Sequence, residues 1–371
     1  MLTDLVAAVL RGDPDAAERL GFHPSTEFFE AADRHGVLLL VGRMLRDAKW
    51  TDAIPCELRE ALSSRARCDQ SVELVRREEL RRVVDALHCA GISSIVFKGA
   101  ALAYTHYEFP HLRPRLDTDL LVAPDDRLRA REVLESIGYT PANAVARDAL
   151  FAEAMFSRKG IGTVHHVLDL HWRVISRPLF REVLPLDEIR SSVVMVPALG
   201  PAARTLDPVH ALLLACIHPV AHHHSDWPLI WMYDVALLAD CLTAAGWLRF
   251  RQLATARHVS FICKQAFELV ARHLGERAWL RDSGVLAIPD QRRYEEPSAA
   301  YLEGRQSARS DLILDLNASR GLVGKSRLLL AHAFPDLKYM RAQYSTSGWL
   351  ALTSAYIRRL AGACVQLARS S

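Results

Sequence analysis

The stretch "RPRLDTDLLV" (residues 113–122) places two carboxylates inside a run that is otherwise typical of a buried β-strand. Because strand side chains alternate between two faces, Asp117 and Asp119 must point to the same side. Two like charges on one apolar strand repel each other and lose hydration unless a positive group lies between them. A divalent cation offsets this repulsion best, since hard ions such as Mg²⁺ prefer carboxylate oxygens. The stretch therefore predicts a strand whose two aspartates bind a metal, and a solvent-exposed strand edge or a turn is the alternative.

The neighbouring segments predict a small α/β unit between residues 91 and 200. "SIVF" (94–97) is typical of a short strand, "KG" ends it, and the alanine-rich "AALAYTHY" favours a helix. A second helix is predicted for "PDDRLRAREVLESIG", which has a proline near its start and a glycine at its end. "GTVHHVLDLHWRVIS" (162–176) predicts another strand, with Asp169 and His171 on one face. His171 is therefore expected to contact the residues that bind the metal.

The rest of the chain has helical periodicity. Before residue 90, "QSVELVRREELRRVVDALHCAG" shows apolar residues at helical spacing, and its stretch "RREELRR" (76–82) is typical of a solvent-exposed helix face. Helical spacing returns after residue 200 and continues to the end. We therefore predict an α+β fold in which a small mixed β-sheet core (91–200) lies between an N-terminal helical segment (1–90) and a C-terminal helical bundle (201–371).

Composition limits the classes of partner. A net charge of +3 over 371 residues is too small for a broad nucleic-acid-binding surface. The seven cysteines are scattered and form no C-x-x-C pair, which is typical of reduced thiols in a cytosolic protein. No basic segment followed by an apolar stretch opens the chain, and the most apolar windows are too short to cross a bilayer. We therefore expect a soluble, cytoplasmic protein without a membrane partner.

Three further features complete a candidate site. "FKGAAL" places Lys98 and Gly99 at a strand-to-helix turn, where backbone N–H groups suit a phosphate. Arg113, four residues before Asp117, is within reach of the same phosphates. On a neighbouring strand, Asp169 would add a third carboxylate to the metal site.

The order of these elements resembles the nucleotidyltransferase superfamily of the DNA polymerase β type, and most closely the bacterial family of uncharacterised nucleotidyltransferases. The resemblance covers nearly the whole chain and includes helical segments that support it. The stretches that carry it are "FKGAALA" (97–103), Arg113, "DTDLLV" (117–122), "LDLHWRV" (168–174), "HALLLACIHPVAHHHSDWPLIWMYDVALL" (210–238), "FPDLKYMRAQY" (334–344) and "YIRRL" (356–360).

The resemblance implies a nucleotidyltransferase core at residues 91–200 that uses Mg²⁺, with Mn²⁺ as an alternative ion. It would move a nucleoside monophosphate from a nucleoside triphosphate such as ATP to a sugar, small-molecule or peptide acceptor. Asp117, Asp119 and Asp169 would bind the metal ions, and Asp169 would also help to deprotonate the acceptor. Lys98, the Gly99 backbone and the nearby arginine would contact the phosphates.

One position departs from the superfamily pattern. Many polymerase β-type transferases carry Gly-Ser after the first strand, whereas here Ala100 follows Gly99. The phosphate contact must then come from the backbone and from Lys98. Two alternatives stay open: a tailoring transferase that uses another activated donor, sugar or phosphoryl, on a peptide or sugar, and a non-catalytic nucleotidyltransferase-like binding partner.

Histidines in the helical half suggest two further interpretations. His218, His222 and Asp226 are spaced like zinc ligands on one helix face. Pro219 argues against one continuous helix, and the glutamate of the zincin motif is missing. We predict instead that His218, His222 and Asp234 form a polar wall of the active-site cleft. Polar contacts between domains would explain the same residues equally well.

Overall fold

The structure is a computed structural model that describes residues 2–13, 15–19, 25–47, 54–141, 152–223, 227–302, 308–319, 321–334, 340 and 348–368. The helices are α1 (Leu2–Leu10), α2 (Asp15–Arg19), α3 (Thr26–Arg34), α4 (Leu38–Asp47), α5 (Cys56–Cys89), α6 (Lys98–Thr105), α7 (Arg127–Ser136), α8 (Leu186–Ser192), α9 (Pro208–His222), α10 (Leu229–Asp240), α11 (Ala244–Ala256), α12 (Ser260–Leu274), α13 (Ala278–Asp282), α14 (Arg292–Glu295), α15 (Ala308–Ala318), α16 (Gly321–Ala333) and α17 (Trp349–Ala368). The strands are β1 (Ile95–Phe97), β2 (Thr118–Leu121), β3 (Thr140–Pro141), β4 (Glu153–Lys159), β5 (His165–His171), β6 (Val194–Met195) and β7 (Arg204–Thr205).

Five strands form one mixed sheet in the order β1-β2-β5-β4-β3. The central pair, β2 and β5, is parallel and sets Asp119 opposite Asp169. The remaining neighbours are antiparallel, and β4 sets Glu153 opposite His171. The predicted α+β fold with a small mixed sheet is confirmed. Sequence periodicity did not predict β3 or β4, because β4 has Phe156 as its one fully buried side chain and lacks a regular apolar alternation.

The two faces of the sheet contact different parts of the chain. Leu120 in β2 and Leu168 in β5 are almost fully buried and pack with side chains of α5 and α7. Each buried leucine contributes roughly 1.5–3 kcal/mol to folding. Leu121 packs instead with the helices that follow residue 200. Since adjacent strand residues face opposite ways, Asp119 and Asp169 lie on this second face, toward the helical half.

Helix α9 runs unbroken from Pro208 to His222, so the expectation that Pro219 would interrupt it is wrong. The proline removes one backbone hydrogen bond. Most residues of α9 are buried in the main apolar core, and this packing outweighs the loss. As a result His218 and His222 lie one turn apart on one face, with ring centroids 5.2 Å from each other.

A buried polar cluster surrounds His210 near the start of α9. One ring nitrogen, Nδ1, contacts the carboxylate of Asp207, and Nε2 lies 3.1 Å from Oε1 of Glu188. Ser192 Oγ and Arg249 Nη2 lie 3.3 and 3.4 Å from the ring nitrogens. Burial alone would lower the pKa of His210, but the two carboxylates outweigh burial and raise it.

We expect the His210→Gln variant to lose a pH-dependent part of the unfolding free energy. Because the folded-state pKa of His210 is raised, its contribution is complete below the ordinary value of 6.5 and is lost as the pH rises through the raised pKa. The stability difference between wild type and variant should therefore shrink as the pH rises above 6.5. Urea unfolding over a pH series measures it, with His88→Gln on an exposed position as the control. A difference that does not change with pH would contradict the account.

No described helix combines the length and the apolarity that a membrane crossing needs.

Candidate active site

A cavity of about 850 Å³ lies between the polar face of the sheet and helices α5, α9 and α10. Nine of the ten residues that the sequence proposed for the site line this cavity, and His171 is buried behind Asp119. The nine are Lys98, Gly99, Arg113, Asp117, Asp119, Asp169, His218, His222 and Asp234. The fold thus brings together residues that are up to 136 positions apart in the sequence, Lys98 and Asp234 being the extremes.

Asp119, Asp169 and His171 form a group that could hold a metal ion. One ligand atom from each lies within 4.8 Å of the other two, because parallel pairing sets Asp119 beside Asp169 and the histidine follows two residues later. The Oδ1 atom of Asp169 is buried and has no hydrogen-bond partner in the part of the chain that the structure describes. A buried carboxylate oxygen without a donor is costly. Two carboxylates and one imidazole therefore fit a divalent cation here.

The remaining expected ligand, Asp117, lies beside this group and is not part of it. Asp117 belongs to the loop that precedes β2, which begins at Thr118. Burial, and then the charge of Asp119, raise the pKa of Asp117. Among described residues no second metal-capable group occurs, so His218 and His222 are not joined there by a third ligand. Asp226, which has the spacing of a third zinc ligand, lies outside the described residues.

Lys98 is a positively charged residue that contacts the aspartate group. Its Nζ donates to Oδ1 of Asp119 over 2.6 Å, and Nε2 of His171 lies 2.9 Å from the same oxygen. Burial alone would raise the pKa of Asp119, but Lys98 and His171 outweigh burial and lower it. Lys98 has φ of +54°, in the left-handed region, which costs roughly 1–2 kcal/mol for a residue with a side chain. Its position is thus held by the surrounding structure.

Arg113, expected at the phosphates, and Asp234, expected in the polar wall of the cleft, are bound to each other. Arg113 Nε donates to both carboxylate oxygens over 2.9 and 3.0 Å, and Nη2 donates over 2.7 Å. Tyr107 adds a hydroxyl donor at 2.7 Å, and all three side chains are buried. The pair joins the loop before β2 to α10 across 121 residues of sequence. No local spacing could have revealed this contact.

Gly99 lies directly against this ion pair. A Cβ atom at Gly99 would lie 3.2 Å from Cζ of Arg113, and Arg113 cannot yield because Asp234 holds its guanidinium. The glycine therefore makes room for the arginine, whatever its backbone contributes to a ligand.

We expect the Gly99→Ala variant to lose about 1–2 kcal/mol of unfolding free energy through this overpacking. The matched control is Gly42→Ala inside α4, where the added Cβ would meet only Leu62 at 4.0 Å. That control should gain about 0.4–1 kcal/mol of unfolding free energy, because alanine has less conformational freedom than glycine in the unfolded chain. Urea unfolding compares the two variants. An equal gain for both would show that Arg113 moves aside freely.

The opposite wall of the cavity offers uncharged polar groups. Nδ1 of His218 and Nε2 of His222 are buried without a partner among the described residues. Burial, and then the charge of Lys98, lower the pKa of His218 well below its ordinary value and that of His222 to about 3. Both rings are therefore neutral at physiological pH. Trp231 packs against His218 with ring centroids 5.4 Å apart and borders the same cavity.

Sequence reasoning missed two residues of the site. Glu153, at the start of the unpredicted strand β4, places Oε2 3.4 Å from Nδ1 of His171 and borders the cavity. Almost no sequence signal pointed to Glu153, because β4 lacks a regular apolar alternation. Arg76 was expected on a solvent-exposed helix face, and this is wrong: it is half-buried and borders the cavity, while Glu79 of the same stretch is buried. The reason is that α5 packs on the sheet through Leu80, Val83 and Leu87, which covers part of the charged residues beside them.

Comparison with known protein families shows which family the chain belongs to. The model of a family described as uncharacterised nucleotidyltransferase matches residues 24–275, which include the whole sheet and helices α9 to α12. The expected resemblance of the segments at 334–344 and 356–360 lies beyond this match and stays a prediction. A search of curated proteins finds no match to the chain. The chain belongs to the uncharacterised nucleotidyltransferase family.

Proposed function

We propose that the protein is a divalent-metal-dependent nucleotidyltransferase that moves a nucleoside monophosphate from a nucleoside triphosphate, such as ATP, to an acceptor. The observation that carries the proposal is the group of Asp119, Asp169 and His171, whose two aspartates line a large cavity. A cavity of about 850 Å³ is in the range of small-molecule sites. Membership of the family supports the same class of reaction.

Asp119, Asp169 and His171 would hold the metal ion, and Asp117 lies beside them where a second ion would bind. Mg²⁺ suits the carboxylates, and Mn²⁺ suits both carboxylates and imidazole. When bound, the metal supplies positive charge that neutralises the phosphates and orients them. Glu153 would fix the orientation of the His171 ring from its other nitrogen.

The other cavity residues would bind the two substrates. Lys98 and the backbone N–H groups at the start of α6 are proposed to contact phosphate oxygens. Across the cavity, the neutral rings of His218 and His222 offer hydrogen bonds to an uncharged polar group of the nucleotide or the acceptor. The acceptor is proposed to be a sugar, a small molecule or a peptide side chain.

In the proposed reaction an acceptor oxygen forms a bond to the α-phosphorus, and the bond from that phosphorus to the oxygen bridging to the β-phosphorus breaks. Pyrophosphate leaves, and the acceptor proton passes to the carboxylate of Asp169, whose Oδ1 has no partner among the described residues. Burial, and then the charges of Asp117 and Asp119, raise the pKa of Asp169 to about 6. A divalent cation bound to the group would offset those two charges and keep Asp169 ionised, which is the form that accepts a proton. Positioning and charge neutralisation do most of the work in such chemistry.

The fate of labelled phosphates tests the proposal. ATP labelled on the α-phosphate or on the γ-phosphate is incubated with the protein, Mg²⁺ and a bacterial extract that contains small molecules and peptides. We expect the α-label in a new product and the γ-label in pyrophosphate, and no product with Asp169→Asn. Transfer of the γ-label would show phosphoryl transfer instead. If no label from ATP, GTP, CTP or UTP is transferred, another donor or a binding role would replace the proposal.

A further inference from the structure

Arg115 is a buried cation in the cavity wall whose hydrogen bonds are incomplete. Nη2 donates to Glu73 over 2.8 Å and to the Tyr104 hydroxyl over 3.2 Å, and the side chain is 3% exposed. Its Nε and Nη1 atoms are buried and find no acceptor within the described part of the chain. A guanidinium has five donors in a fixed plane, so Arg115 is held in place with donors left over.

Arg76 is a second cation next to Arg115. It is half-buried, lies on α5 and borders the same cavity. No ion pair joins it to an acid among the residues that the structure describes. Burial, and then the charge of Arg115, lower the pKa of Arg76, which means that its charge is unfavourable where it lies. An anion placed against it would relieve this cost.

The acids on this part of α5 already have cationic partners. Glu73 accepts from Arg115 and from the hydroxyl of Tyr104, and Asp69 pairs with Arg65 over 2.8 Å. Both acids border the cavity, and so do the three arginines. Arg76 is therefore a third positive charge beside two acids, and these acids favour its charge less than burial and Arg115 oppose it.

We propose that Arg76 and Arg115 form a subsite for a phosphate group in the cavity that holds the aspartate group. The inference rests on the proposed function, because it concerns a substrate of that same site. Guanidinium groups match phosphate oxygens in geometry and charge. Arg115 borders the same cavity as Asp117, Asp119 and Asp169, so the subsite shares that cavity with the proposed metal site. The phosphate belongs either to the pyrophosphate end of the triphosphate or to a phosphorylated acceptor.

Calorimetry with Mg²⁺ on wild type and Arg76→Gln tests the subsite, with pyrophosphate, inorganic phosphate, ATP and AMP as probes. Arg77→Gln, at the exposed neighbouring position, is the control. We expect Arg76→Gln to weaken pyrophosphate binding by about tenfold or more, the worth of one charge-assisted hydrogen bond, and the control to leave it unchanged. Because the substitution removes repulsion by Arg115, Arg76→Gln should unfold at the same temperature as wild type or higher.

The probes distinguish the two sources of the phosphate. Weaker ATP binding with unchanged AMP binding would assign the subsite to the triphosphate. Weaker binding of pyrophosphate and inorganic phosphate with unchanged ATP binding would assign it to the acceptor. Wild-type affinity of the Arg76→Gln variant for all four probes would overturn the subsite, even if ATP binding still depends on Asp169. Conversely, Arg76-dependent pyrophosphate binding without any nucleotide binding would leave the subsite standing and count against the proposed function.

Discussion

The Asp119→Asn variant is expected to lose divalent-metal binding and to lose about 3–5 kcal/mol of unfolding free energy. Both effects arise at one atom, Oδ1 of Asp119. This oxygen accepts a hydrogen bond from Nζ of Lys98 over 2.6 Å and lies 2.9 Å from Nε2 of His171. Asparagine keeps the shape but removes the charge, so the half-buried ammonium of Lys98 would lose its directly paired carboxylate and keep only the weaker attraction of Glu153 and Asp117. Urea unfolding measures the loss of stability, and calorimetry with Mn²⁺ alone measures the loss of metal binding.

A second variant separates folding from metal binding. In Lys98→Met/Asp119→Asn both members of the ion pair are removed, and replacing a buried pair by groups of similar volume is often neutral for stability. The double variant should therefore regain most of the lost unfolding free energy and still fail to bind Mn²⁺. Mn²⁺ binding of wild-type affinity in the folded double variant would contradict the assignment of Asp119 as a metal ligand.

The Arg113→Met variant is expected to lose about 3–5 kcal/mol of unfolding free energy, because it leaves the Asp234 carboxylate buried with Tyr107 as its one remaining donor in the described structure. The Arg113→Lys variant should lose nearly as much unfolding free energy, because an ammonium cannot reproduce the paired hydrogen bonds that the guanidinium makes. Urea unfolding is the measurement.

The matched control removes the other member of the pair as well. Arg113→Met/Asp234→Leu should recover a large part of the loss, because no buried charge then lacks a partner. If Arg113→Met instead leaves stability unchanged and weakens nucleotide binding, Arg113 serves the phosphates, as the sequence pattern suggests, and the ion pair with Asp234 carries little energy.

The core of the site could be predicted from the sequence because strand geometry is simple. Residues two apart on a strand share a face, so the sequence alone places Asp169 beside His171. The parallel pairing of β2 with β5 then brings Asp119 opposite Asp169. Local patterns are sufficient wherever the chemistry is carried by neighbouring strands.

The rest of the site depends on contacts that no local pattern encodes. Arg113 meets Asp234 across 121 residues, and Glu79 of α5 is buried where Arg158 of β4 pairs with it. Helix α9 continues through Pro219 because its packing outweighs a lost hydrogen bond, a balance that propensity alone cannot decide. Each difference arises from tertiary packing.

The most direct test of the central claim is calorimetry of ATP, GTP, CTP and UTP binding, with and without Mg²⁺, on wild type and on Asp169→Asn. Oδ1 of Asp169 has no hydrogen-bond partner in the described structure, and the carboxylate is repelled by Asp117 and Asp119. The variant should therefore be at least as stable as wild type, so a loss of triphosphate binding could not be caused by unfolding. We predict Mg²⁺-dependent binding of at least one triphosphate by wild type and none by the variant. Failure of folded wild type to bind any triphosphate with Mg²⁺, or equal binding by Asp169→Asn, would contradict a metal-dependent nucleotidyltransferase site.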